Sequence, residues 1–66
     1  MEDQIRALVD AGQLTFKGAR KRHNLAPGAY GILARIGIDH ANATGEPRAA
    51  SITKACAIYW RLYDER

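Results

Sequence analysis

The chain has one cysteine, Cys56, so no intramolecular disulfide can form, and a lone thiol suits a reducing compartment. It has no long apolar run. The longest mostly apolar stretch, Gly28 to Ile38, is about half of the roughly 20 residues that a membrane-spanning helix needs, and it includes Arg35. The start, Met1-Glu2-Asp3-Gln4, carries the wrong charge for a signal peptide, so a cytoplasmic protein without a membrane partner is expected. Ligating and nucleophilic residues are equally sparse. His23, His40, Asp39 and Cys56 fall into no Cys-x-x-Cys or His-x-x-x-His spacing, so no metal is expected. Without a Gly-rich phosphate loop, a nucleophile elbow or a convergent acid pair, no cofactor and no catalytic residue is expected either, and the chain does not read as an enzyme.

The most informative absence is that of acid. Between Asp10 and Asp39 there is no carboxylate side chain, and the middle of that gap reads Lys17-Gly-Ala-Arg20-Lys21-Arg22-His23-Asn24, four fixed positive charges within six residues. The whole chain sums to +3, so its centre is far more basic than its average, with Glu2, Asp3, Asp10, Asp64 and Glu65 holding acid at the two ends. Local field decides which partners approach, so this block points to phosphates or to an acidic partner surface. The plainer alternative is that Lys17, Arg20, Lys21 and Arg22 merely solubilise an amphipathic helix.

At 66 residues the chain is a single domain, residues 1–66, and a fold of this size buries only about 60% of the surface its unfolded chain exposes. A thin core without a disulfide favours help from a second subunit, so a homodimer is expected.

The hydrophobic period is helical throughout, which predicts an all-α bundle of three to four short helices with a longer C-terminal one. Glu2 and Asp3 suit a helix N-terminus, Ile5, Leu8 and Val9 form a stripe, and Gly12 can close a first helix over about residues 2–11. Thr15 is placed to cap a second helix from Phe16 to about His23, ended by Asn24. On it Phe16, Ala19 and His23 share one face and Lys17, Arg20, Lys21 and Asn24 another. Pro27 suits the first turn of a third helix that runs to Ile36 and stops at Gly37, with Ala29, Ile32, Leu33 and Ile36 on its apolar side. Residues 38–47 read as a polar surface loop. A last helix, from Pro47 or Ser51 to Asp64, has the clearest period, in Ile52, Ala55, Cys56, Tyr59 and Tyr63, widened by Trp60 and Leu62. Cys56 on that stripe reads as an inert core thiol.

Two short helices joined by a tight turn within a small basic chain resemble the helix-turn-helix DNA-binding regulators, particularly the short ones of phages and plasmids. The resemblance covers residues 15–36. It implies a first motif helix at Thr15 to His23, a turn at Asn24 to Ala26, and a recognition helix at Pro27 to Ile36 entering the major groove. On it Ala19 fills the small-residue slot where the helices cross and Leu25 the apolar slot after the turn. The recognition helix would offer only Tyr30 and Arg35 to base edges. Lys17, Arg20, Lys21, Arg22 and Asn24 would lie one helix earlier, against phosphates, which gives affinity and salt dependence with little sequence choice.

The expected function is therefore nucleic-acid binding, as a DNA-binding transcriptional regulator docking through a basic helix, with RNA as the other candidate. The rival is a protein-binding module of a mobile element acting on a host protein. Tyr59, Trp60 and Tyr63 cluster near the C-terminus with Arg61 beside them, and these residue types dominate interface hot spots. The same helix could serve as the dimer interface, or Tyr59 and Tyr63 could be core with Trp60 as a lid.

Overall fold

Negative charge on the first turn and the stripe of Ile5, Leu8 and Val9 produce α1 over Glu2–Asp10 in the computed structural model, which describes all 66 residues. Gly12, at φ +76°, closes it: the Gly12 N–H donates to the Val9 carbonyl (3.0 Å) and the Gln13 N–H to the Leu8 carbonyl (2.9 Å). That pair of bonds is the one a left-handed residue after a helix permits. Two longer helices follow, α2 over Ala29–Thr44 and α3 over Arg48–Glu65. The protein is an all-α bundle of three helices, the C-terminal one the longest at 18 residues.

The segment expected to form a helix from Phe16 to His23 is instead a run of turns. Gly18 has φ +85° and Arg22 φ +63°, and two left-handed residues so close together are incompatible with an α-helix. The cause is legible in the residues. A helix here would set Lys17 beside both Arg20 and Lys21, like charges at i, i+3 and i, i+4 with no acid to relieve them. Gly18 would cost it about 1 kcal/mol, and its apolar face would hold only Phe16, Ala19 and His23. So short a helix is not stable without tertiary packing. The first helix required by the helix-turn-helix comparison is therefore not formed.

The third expected helix starts later and runs further. Pro27 stays in the preceding loop, Gly28 (φ +81°) stands just before α2, and the helix passes through Gly37 to end at Gly45 (φ +79°). Gly37 is a crossing point, not a stop. A Cβ there would stand 2.7 Å from the Cα of Ile52 and 2.8 Å from its backbone nitrogen, so α2 and α3 touch backbone to backbone. Most of the expected loop 38–47 is thus helix, with Ala41 buried and Asp39, Asn42 and Thr44 facing out. Only Gly45, Glu46 and Pro47 join the two helices, which makes an αα-hairpin. Glu46 fastens this turn, accepting from Ser51 Oγ (3.0 Å) and Lys54 Nζ (2.7 Å), with His40 Nε2 at 3.6 Å.

On α3 the fully buried positions are Ser51, Ala55, Tyr59 and Leu62, a helical stripe, while Ile52 is half-buried against Gly37. Ala55, Tyr59 and Leu62 meet Ile5 of α1, Leu14 and Ala26 of the connecting segment, and Ala29, Leu33 and Ile36 of α2 in one core. Tyr59 is its largest fully buried side chain, and its hydroxyl donates to the Thr15 carbonyl at 2.6 Å. Phe16 packs on Tyr59 and Tyr63, with ring centroids 4.9 and 5.7 Å away. Those two contacts tie the basic segment to α3. No helix is long and apolar enough to cross a membrane.

Candidate nucleic-acid interface

Arg20 to Asn24 form a small closed loop. The Arg20 N–H donates to the Asn24 carbonyl (2.8 Å), and the N–H groups of Asn24 and His23 both donate to the Arg20 carbonyl (2.9 Å each). Five consecutive residues are thereby folded back on themselves, and all of them are exposed. Arg22 lies at the tip in the left-handed conformation, which costs a residue with a Cβ roughly 1–2 kcal/mol. Its N–H and that of Lys21 donate to no carbonyl, so both remain available to an anion.

The placement of acid decides how much of this charge is free. Glu2 holds Arg6 and Arg61, Glu65 holds Arg6, Glu46 holds Lys54, and Asp39 lies 3.9 Å from Arg35. The two arginines on Glu2 keep its carboxyl below the ordinary glutamate range, Arg61 most strongly, and the Lys54 ammonium followed by the Ser51 hydroxyl does the same for Glu46. In the basic segment only Lys21 finds a carboxylate, Asp64 Oδ1, at 2.6 Å. Lys17, Arg20 and Arg22 form no ion pair. They stand exposed with no counter-charge.

The Lys21–Asp64 contact also lays the turn beside α3. Ala57, Trp60, Arg61 and Asp64, spaced i, i+3, i+4, i+7, form one stripe of that helix, and with Lys21 and Arg22 they line an open cleft of about 350 Å³. The Trp60 ring is held there edge to face by Tyr59 (5.2 Å) and Tyr63 (5.5 Å). The basic block and the C-terminal aromatics, separate features in the sequence, thus share one site. The α3 stripe is visible in the sequence, but nothing in the sequence signals that Lys21 and Arg22 face it.

The remaining expected site residues fall elsewhere or inside. Tyr59 is wholly buried, so its ring belongs to the core and not to a partner or dimer surface. Tyr63 is half-buried, with Phe16 against it and the Arg66 guanidinium 3.9 Å from its ring centre. The backbone of Asn24 is spent closing the turn, and its side chain is exposed. Tyr30 is exposed on the first turn of α2, and Arg35 points to solvent beside Asp39. Five residues apart on a helix, they lie about 140° apart around its axis and do not form a common reading face.

No three of the His, Cys, Asp and Glu side chains converge on a point where a metal ion could be held. Cys56 is half-buried, and burial pushes its thiol upward, away from the reactive thiolate. No known protein family, curated protein or solved structure matches the chain.

Proposed function

We propose that the protein binds nucleic acid by its phosphates, through the turn that carries Lys17, Arg20 and Arg22, with Lys21 on its flank. One observation carries this reading. The five acidic residues that form ion pairs are all committed to Arg6, Arg61, Arg35, His40, Lys54 and Lys21, which leaves three exposed cations of one short segment without a counter-charge. A charge run that served solubility alone would be interspersed with acid or spread over the surface. Here Arg20 and Arg22 instead stand on a closed backbone loop, with Lys17 three residues before it, in a segment pinned by Phe16 and Tyr59. Like charges this close along the chain repel one another, and a polyanion relieves that repulsion.

Docking on this view uses a turn, where the sequence pointed to a basic helix. The contacts are to backbone phosphate, which positions the ligand and carries no sequence information. A role in transcription would then need a second source of specificity, because α2 offers bases only the separated Tyr30 and Arg35.

The test is charge reversal. Lys17→Glu, Arg20→Glu and Arg22→Glu, combined, should abolish binding to a fluorescein-labelled oligonucleotide while leaving the helical circular dichroism unchanged. Undiminished binding by the folded triple variant would overturn the reading. Failure of the unmodified protein to bind any nucleic acid in low salt, with capture of an acidic protein by the same turn, would favour the rival protein-binding module.

A further inference from the structure

From the cleft between the basic turn and α3 we infer that the preferred ligand is single-stranded, with one unpaired base stacked on Trp60 and its flanking phosphates held by Arg22, Lys21 and Arg61. This rests on the phosphate-binding reading above and specifies its ligand.

Three features of the cleft point to a base. Its wall mixes one aromatic ring and the small Ala57 with three cations, the combination that holds single strands: a π surface for the base and positive charge for the backbone. The ring is also already in place. Trp60 is half-buried and makes edge-to-face contacts with both Tyr59 and Tyr63, so stacking on it costs little side-chain entropy. The size agrees as well, since about 350 Å³ is at the small end of ligand pockets and admits one planar ring system.

Asp64 is the one acid in the cleft, and it is paired to Lys21 at 2.6 Å, so its repulsion of a phosphate is largely cancelled. Arg61 is likewise shared with Glu2, which leaves Arg22 as the cation in the cleft with no carboxylate partner. The base-stacking ring and the free cation are thus both in the one cleft. A duplex cannot use it, because paired bases stack on one another and present no open face to Trp60.

Trp60 is the only tryptophan of the chain, so the unmodified protein reports on its own site. An oligomer of eight deoxythymidines, titrated in low salt, should quench Trp60 fluorescence and bind more tightly than a duplex of equal length. Trp60→Phe should keep most of the affinity for the single strand. Trp60→Ala should lose about 5- to 150-fold, the value of one base stacked on an aromatic ring, with duplex binding unchanged.

Equal affinity for the two forms, or an affinity that Trp60→Ala lowers equally for both, would overturn the inference and leave the phosphate-binding reading standing. Single-strand binding without any change in Trp60 fluorescence would overturn it too, in a protein whose fold no variant has disturbed. No binding of either form would instead sink the phosphate-binding reading itself.

Discussion

The ammonium of Lys21 meets the carboxylate of Asp64 at 2.6 Å, and this exposed pair is the only point at which the protein's acid reaches its basic turn. An exposed ion pair contributes at most about 1 kcal/mol to folding. On the phosphate-binding reading its larger effect is on the ligand, since Lys21 must divide its charge between Asp64 and a phosphate. Asp64→Asn should therefore raise affinity for an oligonucleotide by about two- to fivefold in low salt, at little cost in stability. A fall in affinity, read by fluorescence anisotropy, would mean that the pair's placing of the turn against α3 matters more to binding than the charge it takes from Lys21.

Gly37 makes the opposite demand of its neighbour, that nothing stand between two backbones. In an isolated helix Gly→Ala stabilises by about 1 kcal/mol. At position 37 the added methyl would lie 2.7 Å from the Ile52 Cα, an atom that cannot turn aside. Gly37→Ala is expected to destabilise the protein by about 1–3 kcal/mol, the usual cost of overpacking. Urea unfolding measures this, and a stability equal to or above that of the unmodified protein would remove the close crossing.

At the tip of the turn, stability and function pull apart. Arg22 sits at φ +63°, which glycine adopts freely and arginine does not. Arg22→Gly should raise folding stability by about 0.5–1 kcal/mol, part of the relief being offset by the greater freedom of glycine in the unfolded chain. The same variant should bind nucleic acid more weakly, having lost its cleft cation. Thermal unfolding and a binding titration on one sample check both halves; strain at the residue proposed to bind would match the pattern of functional sites.

Acid should loosen the molecule at two identifiable places. The Glu2 and Glu46 carboxyls are held below the ordinary glutamate value by Arg61 and Arg6 and by Lys54 and Ser51, so the unfolded chain binds protons that the folded one resists. Their stabilisation is then fully present above the unfolded pKa of about 4.3 and is lost as pH falls through the lower folded values. Melting temperature should fall on acidification below about pH 4.5, and Glu46→Gln should flatten that dependence. An unchanged slope in the variant would show that the Ser51–Glu46–Lys54 cluster does not hold the α2–α3 turn.

Much of the fold was legible in the residues. The stripe of Ala55, Tyr59 and Leu62 marks α3, and Gly12 ends α1 as its position suggests. Gly37 was ambiguous for a physical reason: a helix stop and a helix crossing both require a missing Cβ, and only the burial of Ala41 one turn later separates them. The basic segment misled because capping residues at both ends suggest a helix. Its interior, with Gly18 and mutually repelling cations, opposes one, and the anchoring of Phe16 on Tyr59 becomes visible only in three dimensions. The same holds for the site. Both of its halves are plain in the sequence, and what joins them is a contact between Lys21 and a residue far along the chain.

The salt dependence of binding tests the central claim most directly. The unmodified protein is titrated against a single-stranded oligonucleotide between about 20 and 200 mM salt, and log K is plotted against log salt concentration. With three to four cations engaging phosphate, the slope should lie between about −2 and −3, since each neutralised phosphate of a single strand contributes about −0.7. A flat plot, or no binding at the lowest salt, would contradict the assignment of Lys17, Arg20 and Arg22 to a phosphate-binding turn.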